Sequence, residues 1–306
     1  VTTATVTRPE PRKRHHKHNL VALVFLAPWL AGLLGLTVGP MIVSLYYSFT
    51  DFDFLNVPNL VGLDNYERLL NDPRYLRSLA NTLIYVIVAV PLRLAVALAV
   101  AMVLKKAVRG VGIYRAAFYL PSLLGGSVAV AVLWRQVFDG DGLFNQVLAL
   151  VGIQGEDWIS TPQYALGTLI LLAAWQFGSP MLIFLAGLQQ IPTDLYEAAA
   201  IDGAGAWTRF RKITVPLLTP VILFNLVMQM ITAFQTFTPS FVISNGTGGP
   251  LDSTLLYTLY LYMRAFGNFE MGYASAMAWV LLAIIAIMTF LVFRSAGRWV
   301  FYGDER

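Results

Sequence analysis

The sequence predicts an all-α integral membrane protein with six transmembrane helices, and three observations carry that prediction. Its 306 residues are 57% hydrophobic and only 12% charged, about half the charge density of a soluble domain. The apolar residues come in blocks that exceed the ~20 residues a helix needs to cross ~30 Å of hydrocarbon. The basic residues between the blocks fall on alternate connections, the asymmetry that orients a multi-pass protein.

Taken in order, residues 1–19 form a basic tail that is too polar for a structured domain and is expected to fray. His15, His16 and His18 could bind metal as a His-rich tract, but beside Arg12, Lys13, Arg14 and Lys17 they read as a solvated positive flank. The apolar run Leu20 to Tyr47 has 28 residues. It outlasts the ~7–15-residue core of a signal peptide and ends without a small-residue cleavage site, so it reads as a span. Six spans are expected within one permeation domain over 20–296: 20–48, 79–104, 113–137, 164–188, 217–243 and 271–293, with a short tail at 297–306. No cysteine is present, which removes disulfides and thiolate metal sites from consideration.

Orientation follows from the Lys and Arg residues of the connections. Fifteen lie in the N-terminal tail, around 105–115, in 197–216 and after 293, against five (Arg68, Arg74, Arg77, Arg135, Arg264) on the other side. The prediction is a bacterial plasma (inner) membrane protein with both termini in the cytoplasm. The same bias accounts for the net charge of +4, so no nucleic-acid partner is called for.

The segment EAAAIDGAGAWTRFRKITVP, residues 197–216, is the longest connection on the cytoplasmic side. Thr193 or Asp194 after Pro192 suits an N-cap, LYEAAAIDGA supplies helical turns, and Gly203 and Gly205 end them. A second short helix, AWTRFRKI, would run to Pro216, where the next span opens. The resulting helix–turn–helix has an apolar face of Ala198, Ile201, Trp207 and Phe210. A handful of residues would join two spans, so twenty suggest a docking surface rather than a mere connection. Nothing else on this side is large enough to be a soluble domain, so energy for any work must come from a partner.

The spacing Glu197-Ala198-Ala199, Gly203, Ile213, Pro216 resembles the cytoplasmic loop signature of the membrane subunits of binding-protein-dependent ABC importers. VGLDNYERLLNDP (61–73), FYLPSLLGGSVAVAVLWRQVF (118–138), FLAGLQQIPTDLYEAAAIDGA (184–204) and TGGP (247–250) resemble the carbohydrate branch, the maltose-permease-like and glycerol-phosphate-permease-like subunits. The resemblance implies a type I importer permease core of six helices. It also implies four kinds of partner: a second homologous permease, two ATP-binding cassette subunits, an external solute-binding protein and the lipid bilayer. Glu197, Ala198, Ala199, Asp202, Gly203, Arg209, Ile213 and Pro216 would then form the ATPase-coupling contact, with Gly203 making the turn. There is no room between the spans for the large external domain of the maltose permease, which weakens any inference to maltose itself.

No site for chemistry is expected within the chain. No G-x-x-x-x-G-K-[ST] loop occurs, so ATP and Mg are expected on the partner subunits and no cofactor or metal in this one. Gly248-Gly249-Pro250 reads as an external turn. The substrate path is sought among polar residues at membrane depth, which are costly unless satisfied. Asn225, Gln229, Thr232 and Thr236 fall on one helical stripe with Gln235 at its edge; they suit sugar hydroxyls, or hydrogen bonds between helices. Arg93 follows Pro91 midway along a span that holds no acid. It is expected to face a wet cavity, reach backbone carbonyls freed by that proline or meet a carboxylate of a partner chain; an anionic or strongly hydrated substrate is the sharper alternative. Trp175 and Gln176 are weaker candidates.

Outside, Leu143 to Val151 and Trp158 would lie along the membrane surface, forming with 49–78 and 244–270 a landing surface for the solute-binding protein. The substrate class implied is a sugar, oligosaccharide or related polyol. An ion-coupled secondary transporter would want buried carboxylates and an internal repeat, and a membrane-embedded enzyme would want catalytic His, Asp or Glu at depth. Neither pattern is visible.

Overall fold

The computed structural model describes residues 15–106 and 110–301; the tail before His15, Arg109 and the terminal stretch with Arg306 lie outside the described residues. Among the described residues the regular elements are helical, and the one extended pairing is an isolated antiparallel bridge between Thr50 and Leu60.

The first apolar run is α1 (His15–Gly32), a π-helical turn (Leu33–Val38) and α2 (Gly39–Tyr47). It starts five residues before the expected span, so part of the tail expected to fray is helical. Extending a formed helix costs far less than nucleating one. From Val24 to Tyr47 its side chains are mostly exposed, Phe25 and Leu36 each at 82%, as befits a helix whose solvent is hydrocarbon. After α3 (Asp64–Asn71), α4 (Pro73–Lys106) forms a continuous helix of 34 residues, about 50 Å long. It keeps its course through Pro91 and packs against four later helices.

Two of the expected spans are bent pairs rather than single helices. The first combines α5 (Val111–Leu124) with α6 (Val128–Phe138) and α7 (Leu143–Leu150); the parts 112–124 and 128–150 meet at 94°. The break falls on Gly125-Gly126-Ser127, where two glycines weaken the helix and the Ser127 hydroxyl accepts from the Val130 amide to start α6. The second combines α8 (Pro162–Trp175) and α9 (Gly178–Gln190), bent by 42° at Gln176 and Phe177. With Val24–Tyr47, Pro73–Lys105, Ala206–Ile243 and Met271–Trp299, the described residues hold four helices long and apolar enough to cross a membrane, or up to six if each bent pair is one span.

Next come α10 (Thr193–Ile201), α11 (Ala206–Arg209), a π-helical turn (Phe210–Thr214) and α12 (Val215–Phe234). The second helix of the expected helix–turn–helix does not stop at Pro216. It runs on into α12, with the π-helical turn just before Pro216 marking where the proline interrupts the regular hydrogen-bond ladder. The expected side-chain cap by Thr193 or Asp194 is also absent, since Pro192 holds the N-cap position. Then α13 (Thr238–Ile243), a 3₁₀ turn (Pro250–Asp252), α14 (Tyr257–Tyr262), a π-helical turn (Met263–Gly267) and α15 (Met271–Trp299) complete the chain.

At the Pro73 end of α4, long-range polar contacts pin the 244–270 loop to the bundle. The Asp72 carboxylate accepts from the Tyr260 hydroxyl (2.5 Å), the Tyr273 hydroxyl (2.8 Å) and the Arg264 guanidinium (2.9 Å). Arg264 also reaches Glu270 (3.0 Å), which Arg68 meets from the other side (2.6 Å). Arg74 holds Asp252 through Nε and Nη2, and Asn81 donates to the carbonyls of Asp252 and Leu255. Burial pushes the Asp72 carboxyl up, but its hydrogen bonds outweigh that and bring it down to about 2.

Candidate functional site

Two features stand out, one midway along α4 and one at its Lys106 end. Midway, α4, the break in α8/α9, the break in α5/α6 and the end of α12 enclose a half-open cavity of about 300 Å³. This is the lower end of the ~300–1,000 Å³ range of small-molecule sites.

The cavity exists because the breaks are stitched together. At its break α8 leaves the Gln176 carbonyl without a helical partner, and that oxygen accepts from Arg93 Nε and from the Ser122 hydroxyl, both at 2.8 Å. The Gln176 side chain donates to the Gly125 carbonyl of the other break (2.8 Å), and the Ser179 amide donates back to Ser122 Oγ (3.0 Å). Gly178 lets the two broken helices approach. A Cβ there would stand 2.8 Å from both the Phe118 carbonyl oxygen and Tyr119 Cα, backbone atoms that no rotamer change can move. Arg93 thus lines a cavity and satisfies backbone, but the carbonyl it reaches is that of Gln176 at the α8 break and not one freed by Pro91.

The structure brings Arg93, Gln176, Gln229, Thr232, Gln235 and Thr236 to this cavity. It does not bring Asn225 or Trp175. Asn225 lies fully buried in α12, and Trp175 packs on Trp134 at 6.0 Å between ring centroids. The stripe expected along one helix is also interrupted, since α12 ends at Phe234 and Thr236 enters from the break before α13. Gln229 is 9% exposed, and its carbonyl Oε1 finds no donor in the chain. Thr232 donates its hydroxyl to the Met228 carbonyl (2.8 Å) and Thr236 to that of Thr232 (3.3 Å), so both present lone pairs rather than protons. Tyr85 and Ser122 were not anticipated. Ser122 could have been suspected from the Pro121-Ser122 pair preceding two glycines, a breaker signal, whereas Tyr85 has no local signal.

At the other end of α4, α10 and α11 form an elbow. Gly203 has φ of 78°, and the amides of Gly203 and Ala204 donate to the carbonyls of Ala200 (3.1 Å) and Ala199 (2.8 Å). This is the left-handed helix termination that glycine makes cheap. Tyr196 anchors the elbow inward: its hydroxyl pairs with Thr214 at 2.9 Å, and Lys105 Nζ sits 4.6 Å above its ring. Ile213 is half-buried with it, while Glu197, Ala198 and Asp202 are exposed and Ala199, Arg209 and Pro216 half-buried. Of the expected apolar face, Ile201 is 88% and Trp207 71% exposed, with Phe210 half-buried and its ring 5.4 Å from that of Trp207. The elbow is therefore held from within and apolar on its outer side. Large exposed apolar side chains grouped this way mark interaction surfaces.

The chain and its fold have counterparts among known proteins. The family described as binding-protein-dependent transport system inner membrane component matches residues 69–299. The chain is 54% identical over 291 residues to the probable ABC transporter permease protein YesP of Bacillus subtilis (strain 168), with 94% of each chain covered. It is 34% identical to the lactose transport system permease protein LacF of Rhizobium radiobacter, over 93% of this chain and 96% of the other. Among solved structures, a chain of a bacterial alginate ABC transporter in complex with alginate pentasaccharide-bound periplasmic protein matches with a TM-score of 0.79 at 19% identity, covering 92% of this chain and 96% of that one.

Proposed function

The chain belongs to the family of binding-protein-dependent transport system inner membrane components, and from that premise we propose that it is one permease subunit of an ATP-driven importer for a sugar, oligosaccharide or related polyol. The observation that carries the reading is the polar-lined cavity held open by stitched helix breaks inside an otherwise apolar bundle. Hydroxyl, amide and guanidinium groups at membrane depth are expensive, and lining a solute path is a use that repays them.

In this proposal the chain supplies half of the path and a second, homologous permease the other half. The 197–216 elbow lies in the cytoplasm, where Glu197 and the exposed Ile201 and Trp207 meet one of two ATP-binding subunits. Those subunits hold the ATP and Mg; this chain catalyses nothing itself. The exposed charge and the aromatic outer surface of the elbow support a protein partner, and Tyr196 with Lys105 gives that partner a mechanical link to α4, the helix carrying Arg93. The 49–78 and 244–270 loops with α7 face outside and receive the solute-binding protein. Both termini are cytoplasmic in a bacterial inner membrane.

Reconstitution tests the proposal. Proteoliposomes holding this chain with its partner permease and ATPase subunits should accumulate a radiolabelled sugar only with ATP inside and a loaded binding protein outside. Accumulation driven by an ion gradient without ATP would instead show a secondary transporter.

A further inference from the structure

Resting on the importer reading above, we infer that the Arg93 cavity is an acidic-sugar subsite, built to take a saccharide that carries a carboxylate. Arg93 is the one cation among the residues lining the cavity, and no carboxylate pairs with it among the described residues. Its Nε is committed to the Gln176 carbonyl at 2.8 Å, which fixes the guanidinium plane. The two terminal nitrogens make no hydrogen bond to the described chain and remain available as a planar fork.

Stitching the Gln176 carbonyl employs Nε alone, and a neutral sugar gives no reason for the charged fork beyond it. Holding Arg at the middle of a span costs about 2.5–3.5 kcal/mol on insertion scales, and Gln or Asn would hydrogen-bond hydroxyls without that cost. The guanidinium fork is instead the group that matches a carboxylate in two parallel hydrogen bonds. The rest of the wall complements the rest of such a ligand. Gln229 is mostly buried in the cavity wall, and Thr232 and Thr236 have spent their protons on backbone carbonyls. One cation beside the Thr232 and Thr236 acceptors and the Gln235 amide fits one anion and several sugar hydroxyls. A phosphate monoester carries about −1.5 to −2 at neutral pH, and one guanidinium leaves it half compensated, so the carboxylate is the better match.

Equilibrium binding to the assembled complex in lipid nanodiscs decides it. The probes are galacturonate, glucuronate and mannuronate di- and trisaccharides, each beside its neutral hexose counterpart, and glucose 1-phosphate. At least one uronate should bind ten times or more tighter than its neutral counterpart. Arg93→Gln should bring that ratio within twofold, because it removes the fork while Ser122 still satisfies the Gln176 carbonyl. Arg93→Lys should retain an intermediate ratio. Equal binding of acid and neutral sugars, preference for the phosphate, no retention of any uronate, or an unchanged ratio in Arg93→Gln would each overturn the inference. If Arg93→Gln prevents assembly, the wild-type ratio alone still decides. ATP-dependent uptake of a neutral sugar alongside such a failure would leave the importer reading standing.

Discussion

Glu197→Lys is expected to leave the permease folded and to lower solute-stimulated ATP hydrolysis by the assembled transporter at least tenfold. Within the chain Glu197 is exposed and makes neither an ion pair nor a side-chain hydrogen bond among the described residues. It sits at the middle of α10, beyond the first turn where the helix dipole favours a carboxylate. Reversing its charge therefore costs the isolated chain little, as surface substitutions usually do. Any large effect must arise in a partner, where a reversed charge at a docked surface repels. Two readings separate the cases: a thermal midpoint within about 2 °C of wild type, and hydrolysis with and without loaded binding protein. A normal stimulation ratio would remove Glu197 from the coupling contact.

Asp72→Asn is expected to act in the opposite way, through the fold. The Asp72 side chain is 9% exposed and accepts from Tyr260, Tyr273 and Arg264. An amide can accept fewer of these bonds and brings donors of its own to a site already full of them. Losing charge-assisted bonds at a buried site costs about 2–4 kcal/mol. The effect is pH-dependent, and its sign follows from the carboxyl being held at about 2 rather than the ordinary 3.8. A carboxyl depressed on folding stabilises fully above its unfolded value and loses that contribution as pH falls toward the folded one. This shift represents roughly 1–2 kcal/mol after allowance for solvent screening. Thermal unfolding of the purified chain should show the variant well below wild type at pH 7, with the gap narrowing between about pH 4 and pH 2. A gap that stays constant across that range would detach the carboxylate from the stability of the 244–270 loop.

The parts legible in the sequence were those with a local signal. Apolar length marked where helices lie, and Gly203 was expected to break the helix, which it does at a φ of 78°. The Glu–Gly–Ile–Pro spacing pointed to the family. What was not legible depends on residues far apart in the chain. The breaks at 125–127 and 176–177 occur inside runs apolar enough to read as straight spans, and they persist because Gln176, Arg93 and Ser122 satisfy the freed backbone. Gly125-Gly126-Ser127 and Gly178-Ser179-Pro180 were the available warning. The stripe expected through Asn225 reached the cavity at Gln229, Thr232, Gln235 and Thr236 but not at Asn225, which is fully buried. It assumed one helix through 236, whereas α12 ends two residues earlier. Arg264 could be counted as an outer cation from the sequence, but its pairing with Asp72 spans 192 residues and leaves no trace in local pattern.

The central claim is that the elbow at 197–216 docks on an ATPase subunit, and a single thiol tests it most directly. The chain has no cysteine, so Ile201→Cys places one unique thiol on a position 88% exposed. Labelled there with a photoactivatable maleimide and irradiated in the assembled complex, the chain should cross-link to an ATPase subunit, and added ATPase should protect the thiol from a water-soluble reagent. A thiol equally reactive with and without the ATPase, and cross-linked only to lipid or to the permease itself, would contradict the account.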